Sequence, residues 1–434
     1  MNKIPAQRLE ELTELHPADV ADELQRIEEP SEAVAVLRQI PTELAAEAFA
    51  ELEPEAIQDF SLHLSEQELA GILSQLPHSD STDIVGELPE ERQQGVLDQL
   101  PKEVASPLRE LLQYPEDTAG GIMNDDYTRL DSSGSVGDAL ARLRKAEQEE
   151  ESVSYLYVTD SEGRLLGTVS FRDLVLSKPE TPLKNVTNLE VKRLTVTDDQ
   201  EEIARQFEHY HFLALPVVDV DDRLVGVVQA NVALEIAKEE ATEDMQLMVG
   251  LSGEEHALTP WSRAVARRLP WLYVNLMTAF AAAAVVAVYE STIAKWTALA
   301  VFLPIIAGQG GNAGMQTLTV IIRDMALGEL SPGDGRRALS KELLVGTVNG
   351  IAVGLVVGVV GYLWQGSLLL GAIVTAAMIL NQMTAALAGV LIPFTLKAFR
   401  VDPALASSIF LTTVTDIGGF FFFLWLASYF LARA

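Results

Sequence analysis

The sequence predicts a multidomain chain: an all-α superhelical N-terminal domain over 1–119, an α/β repeat pair over 120–229, a connecting helix over 230–262, and an α-helical membrane domain over 263–434 with five transmembrane helices per subunit. Three observations predict it. Only seven of the 62 acidic residues lie from position 270 onward, against eight basic ones, so the first 269 residues carry a net charge of −32 and the rest +1. Short helical segments punctuated by proline recur at the start, and a strand-turn-strand-helix pattern then repeats at an offset of 59 residues. The acidic part is compatible with cations and argues against nucleic acid or anionic lipid as a partner. There is no cysteine, which excludes disulfides and thiolate metal sites. The N-terminal "MNKIPAQRLEELTELHPADV" is acidic and helical in pattern, not a charged-then-apolar signal segment, so this part is expected in the cytoplasm.

In residues 1–119, "IEEP", "QIPTE", "LEPEA", "QLPHS", "ELPEE" and "QLPKE" recur roughly every dozen residues, the signature of a small helical solenoid. Two D-x-x-D pairs occur there, Asp19 with Asp22 and Asp80 with Asp83. At i, i+3 both carboxylates share one helix face, as N-caps, solvated surface or cation ligands. In the repeat, "LYVTDSEGRLLGTVSFRDLV" aligns with "LPVVDVDDRLVGVVQANVAL", pairing Asp160 with Asp219 and Gly167 with Gly226. Glu239, Glu240, Glu243 and Asp244 then crowd along the connecting helix, where like charges repel unless cations neutralise them.

Five apolar stretches, 269–289, 296–322, 342–364, 368–396 and 404–431, each approach or exceed the ~20 residues a helix needs to cross a bilayer. With the N-terminus inside, the inner connections hold nine basic residues from Arg263 to Arg400, and the outer ones only Lys295 and Arg433. That asymmetry supports the topology. Within "LTTVTDIGGFFFFLWLA", Asp416 lies twelve residues beyond Ala404, or ~18 Å at ~1.5 Å per residue. A bare carboxylate at that depth costs at least ~2.5 kcal/mol, so a partner, a cavity or water must face it. The second span, "FLPIIAGQGGNAGMQTLTVIIRD", holds Pro304, Gly308, Gly310, Gly311 and Gly314, a composition that predicts freed carbonyls or close helix packing. Counting back from Arg323, Asn312 lies ~16 Å in, at nearly the depth of Asp416. Asp416, Asn312, Thr412 and backbone oxygens near Gly308 and Gly311 make a hard-oxygen set suited to Mg2+ or Ca2+. One carboxylate cannot strip the waters from Mg2+, so two copies around a shared axis are expected to hold a hydrated ion. Asp416 is expected to be the only acid deep within a span.

"PIIAGQGGNAGMQTLTVIIR" and "DPALASSIFLTTVTDIGGFFFFLWLA" closely resemble the two signature segments of the MgtE family of magnesium channels and transporters. The repeat pair resembles tandem CBS domains. The resemblance extends over essentially the whole chain and implies a homodimer in the cell inner membrane, with the N-terminal and CBS domains cytoplasmic. It implies a pore between the second and fifth spans, Mg2+ on Asp416, and ATP or another adenine nucleotide at the CBS pair. It also implies regulatory Mg2+ on Asp80, Asp83, Asp198, Glu239, Glu240, Glu243, Asp244 and Asp402, closing the pore when cytoplasmic Mg2+ is high. Family members often carry acids near Asn231 to Leu234, where this chain has "NVAL". Asp402 also reads as an N-cap before Pro403. A transporter of Mn2+ or Co2+ is the alternative, since these ions accept similar oxygen sites. No enzyme is expected: an intramembrane aspartyl protease needs two carboxylates sharing a proton. An anion channel would want cationic or helix-N-terminal sites at depth, and no Lys or Arg lies deep in any span.

Overall fold

Proline placement dictates the first part of the fold. Pro17, Pro30 and Pro54 each open a helix at its first turn, where a missing N–H is harmless. The computed structural model describes residues 11–27, 29–125, 127–146, 155–253, 255–257, 259–405 and 407–431. The chain divides into two units, Met1–Ala237 and Lys238–Ala434. In the first unit eight short helices follow one another: α1 (Pro17–Gln25), α2 (Pro30–Leu37), α3 (Thr42–Ala50), α4 (Pro54–Ser61), α5 (Glu66–Leu73), α6 (His78–Gly86), α7 (Glu90–Gln99) and α8 (Lys102–Leu111). Most pack on the next but one, α1 on α3, α3 on α5, α5 on α7, α2 on α4 and α6 on α8, which winds them into a superhelix. Phe49, Leu24, Leu69 and Leu108 fill its continuous core.

A short helix, α9 (Ala119–Ile122), leads into the repeat: β1 (Arg129–Asp131), α10 (Val136–Ala146), β2 (Tyr155–Thr159), β3 (Leu165–Ser170), α11 (Phe171–Leu176), then β4 (Leu194–Thr195), α12 (Gln200–Tyr210), β5 (Ala214–Val218) and β6 (Leu224–Gln229). Both sheets have a parallel pair followed by an antiparallel hairpin, and their registers match, Val158 opposite Gly167 and Val217 opposite Gly226. Each hairpin turn is held by one aspartate. Asp160 Oδ1 accepts from the N–H groups of Glu162 and Arg164, and Asp219 Oδ1 from those of Asp221 and Arg223. The Leu165 N–H donates to Asp222 O at 2.9 Å and the Leu224 N–H to Gly163 O at 3.1 Å, so the two hairpins join pseudo-symmetrically. Helix α13 (Ala230–Met248) follows.

The second unit holds α14 (Trp261–Val288), α15 (Glu290–Lys295), α16 (Leu299–Ala326), α17 (Gly335–Gln365), α18 (Leu368–Ala398) and α19 (Ser407–Leu431). Among the described residues, α14, α17, α18 and α19 are long and apolar enough to cross a membrane. Helix α16 has 28 residues, as many as α14, but Gln309, Asn312, Gln316 and four glycines dilute its hydropathy. The five long helices of the sequence reading are thus present, four of them strongly apolar. The first begins eight residues earlier than 269, because the basic turn with Arg263, Arg267 and Arg268 continues the helix.

Helix α18 packs on α16, α17 and α19 and forms the middle of the unit. The α17–α18 seam is set by Gly346, Gly350, Gly354 and Gly358: a Cβ at Gly350 would lie 2.8 Å from Ile379 Cα, leaving room only for hydrogen. Pro304 lacks the N–H that would meet the Ala300 carbonyl, yet α16 runs unbroken through it and through its glycines. Lipid offers no alternative hydrogen bonds to an unwound segment, and α18 supplies extra donors instead: Asn381 Nδ2 to Ile306 O at 2.8 Å and Gln382 Nε2 to Gln309 O at 3.2 Å.

Candidate functional site

The α16 glycines separate into two sets by what surrounds them. Gly310 and Gly314 are buried; a Cβ at Gly314 would sit 2.7 Å from Leu411 of α19, and one at Gly310 would run into Asn381. Those two permit packing. At Gly308 a Cβ would meet nothing within 4 Å, and at Gly311 only Thr412 Cγ2 at 4.0 Å. Gly311 therefore sits beside Thr412, and Asp416 lies one turn further along the same face of α19.

Thr412, Thr413 and Thr415 send their hydroxyl protons to carbonyls of their own helix: Thr412 to Ile409 O at 3.1 Å, Thr413 to Ile409 O at 2.6 Å and Thr415 to Thr412 O at 3.1 Å. With the protons occupied, the hydroxyl oxygens retain acceptor lone pairs. Asp416 is half-buried and, among the described residues, forms neither a hydrogen bond nor an ion pair. Asn312, next to Gly311, is exposed. The arrangement presents oxygen acceptors and amides, which can replace part of a small cation's hydration.

Polar residues that the sequence reading passed over lie behind this face. Asn381 is fully buried between Gly310 and Gly419, and its Oδ1 has no partner among the described residues. Glu342 on α17 is 5% exposed, more fully enclosed by protein than half-buried Asp416, so a second acid of this helical unit is withdrawn from solvent. It opened a predicted span, where a carboxylate reads as interfacial. The adjacent Asn-Gln pair in "ILNQMTAAL" was the available signal, two amides inside a long apolar run.

In the first unit, Asp80 and Asp83 lie on α6 as predicted, and the fold brings further acids to them. Asp83 is exposed on α6, yet the protein packed around it, then the charges of Asp80, Glu116, Glu235 and Glu87, push its carboxyl up to about 7, with solvent screening those charges. Glu235, one residue past the "NVAL" departure, thus supplies an acid on the start of α13. Asp198 is occupied otherwise: it accepts from the Thr195 N–H at 2.9 Å and the Thr195 hydroxyl at 2.6 Å, closing the turn after β4. Asp402 accepts from the Ala404 N–H at 2.6 Å, a local cap before α19. Glu239, Glu240, Glu243 and Asp244 all lie on α13, with Glu243 against Gly253. Among the described residues, no three His, Asp or Glu side chains converge closely enough to hold a metal within one chain.

The Asp83 shift has a definite sign. Above about pH 7 the folded protein carries an ionised Asp83 against its neighbours, whereas the unfolded chain ionises it freely from ~3.9. Between those values the folded state holds a proton that the unfolded state releases, so this contribution to stability falls as pH rises. Asp83→Asn removes the repulsion. Thermal unfolding of the full-length protein in detergent and chelator should show a small Tm gain, ~1 °C, at pH 8 that shrinks toward pH 4, because solvent screens an exposed charge. A gain independent of pH would assign the effect to packing.

The comparisons with known proteins bear on the whole chain. It is 33% identical over 433 residues to the magnesium transporter MgtE of Thermus thermophilus, an alignment covering 96% of this chain and 94% of that relative. The chain belongs to the MgtE family. The MgtE domain, described as a divalent cation transporter, matches residues 303–426, which include Gly308, Gly311, Asn312, Thr412 and Asp416. The MgtE intracellular N domain matches 15–117, and CBS domains match 119–179 and 183–230. The magnesium transporter MgtE of Enterococcus faecalis is 35% identical over 329 residues, 76% of this chain and 72% of that one. Among solved structures, the cytosolic domain of the Mg2+ channel MgtE in complex with ATP is 33% identical and covers 52% of this chain and 93% of that chain, with a TM-score of 0.49. MgtE proteins are transporters, not enzymes, and the four apolar helices make this member a membrane protein.

Proposed function

We propose that this MgtE protein conducts hydrated Mg2+ across the cell inner membrane along α16 and α19 of two copies, and that cytoplasmic Mg2+ closes the path. The observation that carries the reading is Asp416: a half-buried carboxylate on an apolar helix, without an ion-pair partner among the described residues, beside Thr412 and Gly311. Such a charge is tolerable at membrane depth when a cation visits it. Gly308, Asn312 and Gln316 are exposed on one stripe of α16, and a polar stripe facing hydrocarbon is unfavourable. A second copy and water cover it in this reading, and two Asp416 carboxylates then face one ion. The relatives named magnesium transporters support Mg2+ as that ion. The test is flux into proteoliposomes of purified protein under an Mg2+ gradient. Uptake that follows Mn2+ or Co2+ and ignores Mg2+ would transfer the reading to those ions.

Closure rests on the acids of the cytoplasmic parts. Asp80 and Asp83 in the first unit, and Glu239, Glu240, Glu243 and Asp244 on α13, repel like charges and relax when cations bridge them; Asp402 contributes through the oxygen its cap leaves open, and Asp198 through the remaining lone pairs of two oxygens that already accept from Thr195. Mg2+ favours closure only by binding the closed state more tightly than the open one. ATP or another adenine nucleotide at the CBS pair belongs to the same proposal and rests on the tandem arrangement alone. Neutralising Glu239, Glu240, Glu243 and Asp244 to their amides should leave conduction intact and raise the inhibitory Mg2+ concentration roughly tenfold, a loss of ~1.4 kcal/mol of differential binding. Inhibition at the parent's concentration would make these acids a solvated helix face.

A further inference from the structure

A cavity of about 160 Å³ opens between α16, α17 and α18, lined by Gln316, Thr317, Glu342, Asn349 and Gln382 among others. Its lining is unusual for a membrane unit. Glu342 is 5% exposed, and Thr317 Oγ1 donates to its Oε2 at 2.9 Å. The charge partner is Lys341 Nζ, 2.5 Å from Glu342 Oε1, but the Lys341 side chain is 62% exposed while that of Glu342 is 6% exposed. The ammonium therefore reaches in from solvent and can swing away. Gln382, 2% exposed, spends its Nε2 on Gln309 O, and its Oε1 has no partner among the described residues. An orphaned, buried amide oxygen is destabilising unless something that donates or carries positive charge meets it.

We propose that this cavity is a second divalent-cation site, distinct from the Asp416 site, in which a partly hydrated Mg2+ binds to Glu342 and the amide oxygens and displaces Lys341. The chemistry is consistent throughout. A carboxylate, amide oxygens and retained waters form a hard-oxygen set, and the volume admits several waters, each needing at least ~10–15 Å³ of such space. A buried carboxylate demands a positive charge, and a tethered ammonium that a cation can replace meets that demand in both states. Gln316 lies one turn from Asn312 on α16, so the cavity borders the stripe assigned above to conduction. The proposal rests on the cation-transport reading only for the choice of ion.

The chain has no cysteine, so a single Val345→Cys or Ala313→Cys substitution places the only thiol on the cavity wall. Full-length protein in proteoliposomes is labelled with a small neutral thiol reagent while Mg2+ alone is titrated, and Mg2+ flux is followed in the same vesicles. Mg2+ should slow labelling, and the protection should persist in Asp416→Ala. Glu342→Gln should raise the half-protecting concentration by more than about tenfold, and Lys341→Ala, an exposed change that spares the fold, should lower it about threefold by removing the competing cation. Protection unchanged in Glu342→Gln, weakened in Lys341→Ala, or replaced by a response to pH alone would overturn the site. A thiol that never reacts would overturn it too, by showing the cavity closed. Loss of protection alongside normal Mg2+ flux in the parent would reject this site and leave the transport reading standing.

Discussion

Asp416→Ala should reduce Mg2+ uptake at least ~30-fold, a loss of ~2 kcal/mol or more of ion stabilisation, while the protein remains folded. The structure separates those two effects. Asp416 supports no hydrogen bond or ion pair among the described residues, so its removal strands no partner, and it relieves the burial of a charge on an apolar helix. Thermal stability in detergent should stay level or rise while flux collapses. Asp416→Asn keeps the size and loses the charge, so it should fail nearly as badly if the carboxylate's charge holds the ion. Flux near the parent's in a folded Asp416→Ala protein would remove Asp416 from the ion path.

Gly311→Leu should block uptake without unfolding the protein, and Gly310→Ala should do the reverse. A side chain at Gly311 has only Thr412 Cγ2 near its Cβ, at 4.0 Å, so the leucine fits within one chain and extends over the face that carries Asn312 and Asp416. Filling that face with hydrocarbon excludes both ion and water. At Gly310 even a methyl group meets Asn381, the buried amide that also holds Ile306 O, and overpacking there should cost ~1–3 kcal/mol. The paired measurement is flux in proteoliposomes and Tm in detergent for both variants. If Gly311→Leu unfolds like Gly310→Ala, or conducts normally, the open glycines are packing residues and the path lies elsewhere.

Much of this protein could be read without coordinates because its signals are local and periodic. Proline spacing marked the solenoid, since a residue without an N–H costs least just before a helix or in its first turn. The 59-residue repeat reappears as two hairpins of identical register, each closed by its own aspartate, because a turn and its flanking strands are specified within a few residues. Asp416, Asn312 and the glycines of α16 stood out for the same kind of reason, polar or small residues where lipid demands apolar ones.

What stayed hidden depends on neighbours distant in sequence. The continuity of α16 depends on amides from α18 reaching its carbonyls across more than 70 residues of chain. The division of its glycines into packed and open pairs depends on which of them face Asn381 and Leu411. The proton affinity of Asp83 rises through the protein packed around it and the charge of its i, i+3 neighbour Asp80, and then through Glu116 and Glu235, acids that no local pattern links to it. Glu342 reads in sequence as an interfacial acid opening an apolar span, and only the meeting of three helices makes it a buried carboxylate beside an orphaned amide oxygen. Residue type and spacing along the chain specify the elements, their order and the place of a lone carboxylate, Asp416, within an apolar run. The tertiary structure alone decided which groups share a cavity and which are left without partners, because burial and electrostatic coupling depend on distance through space.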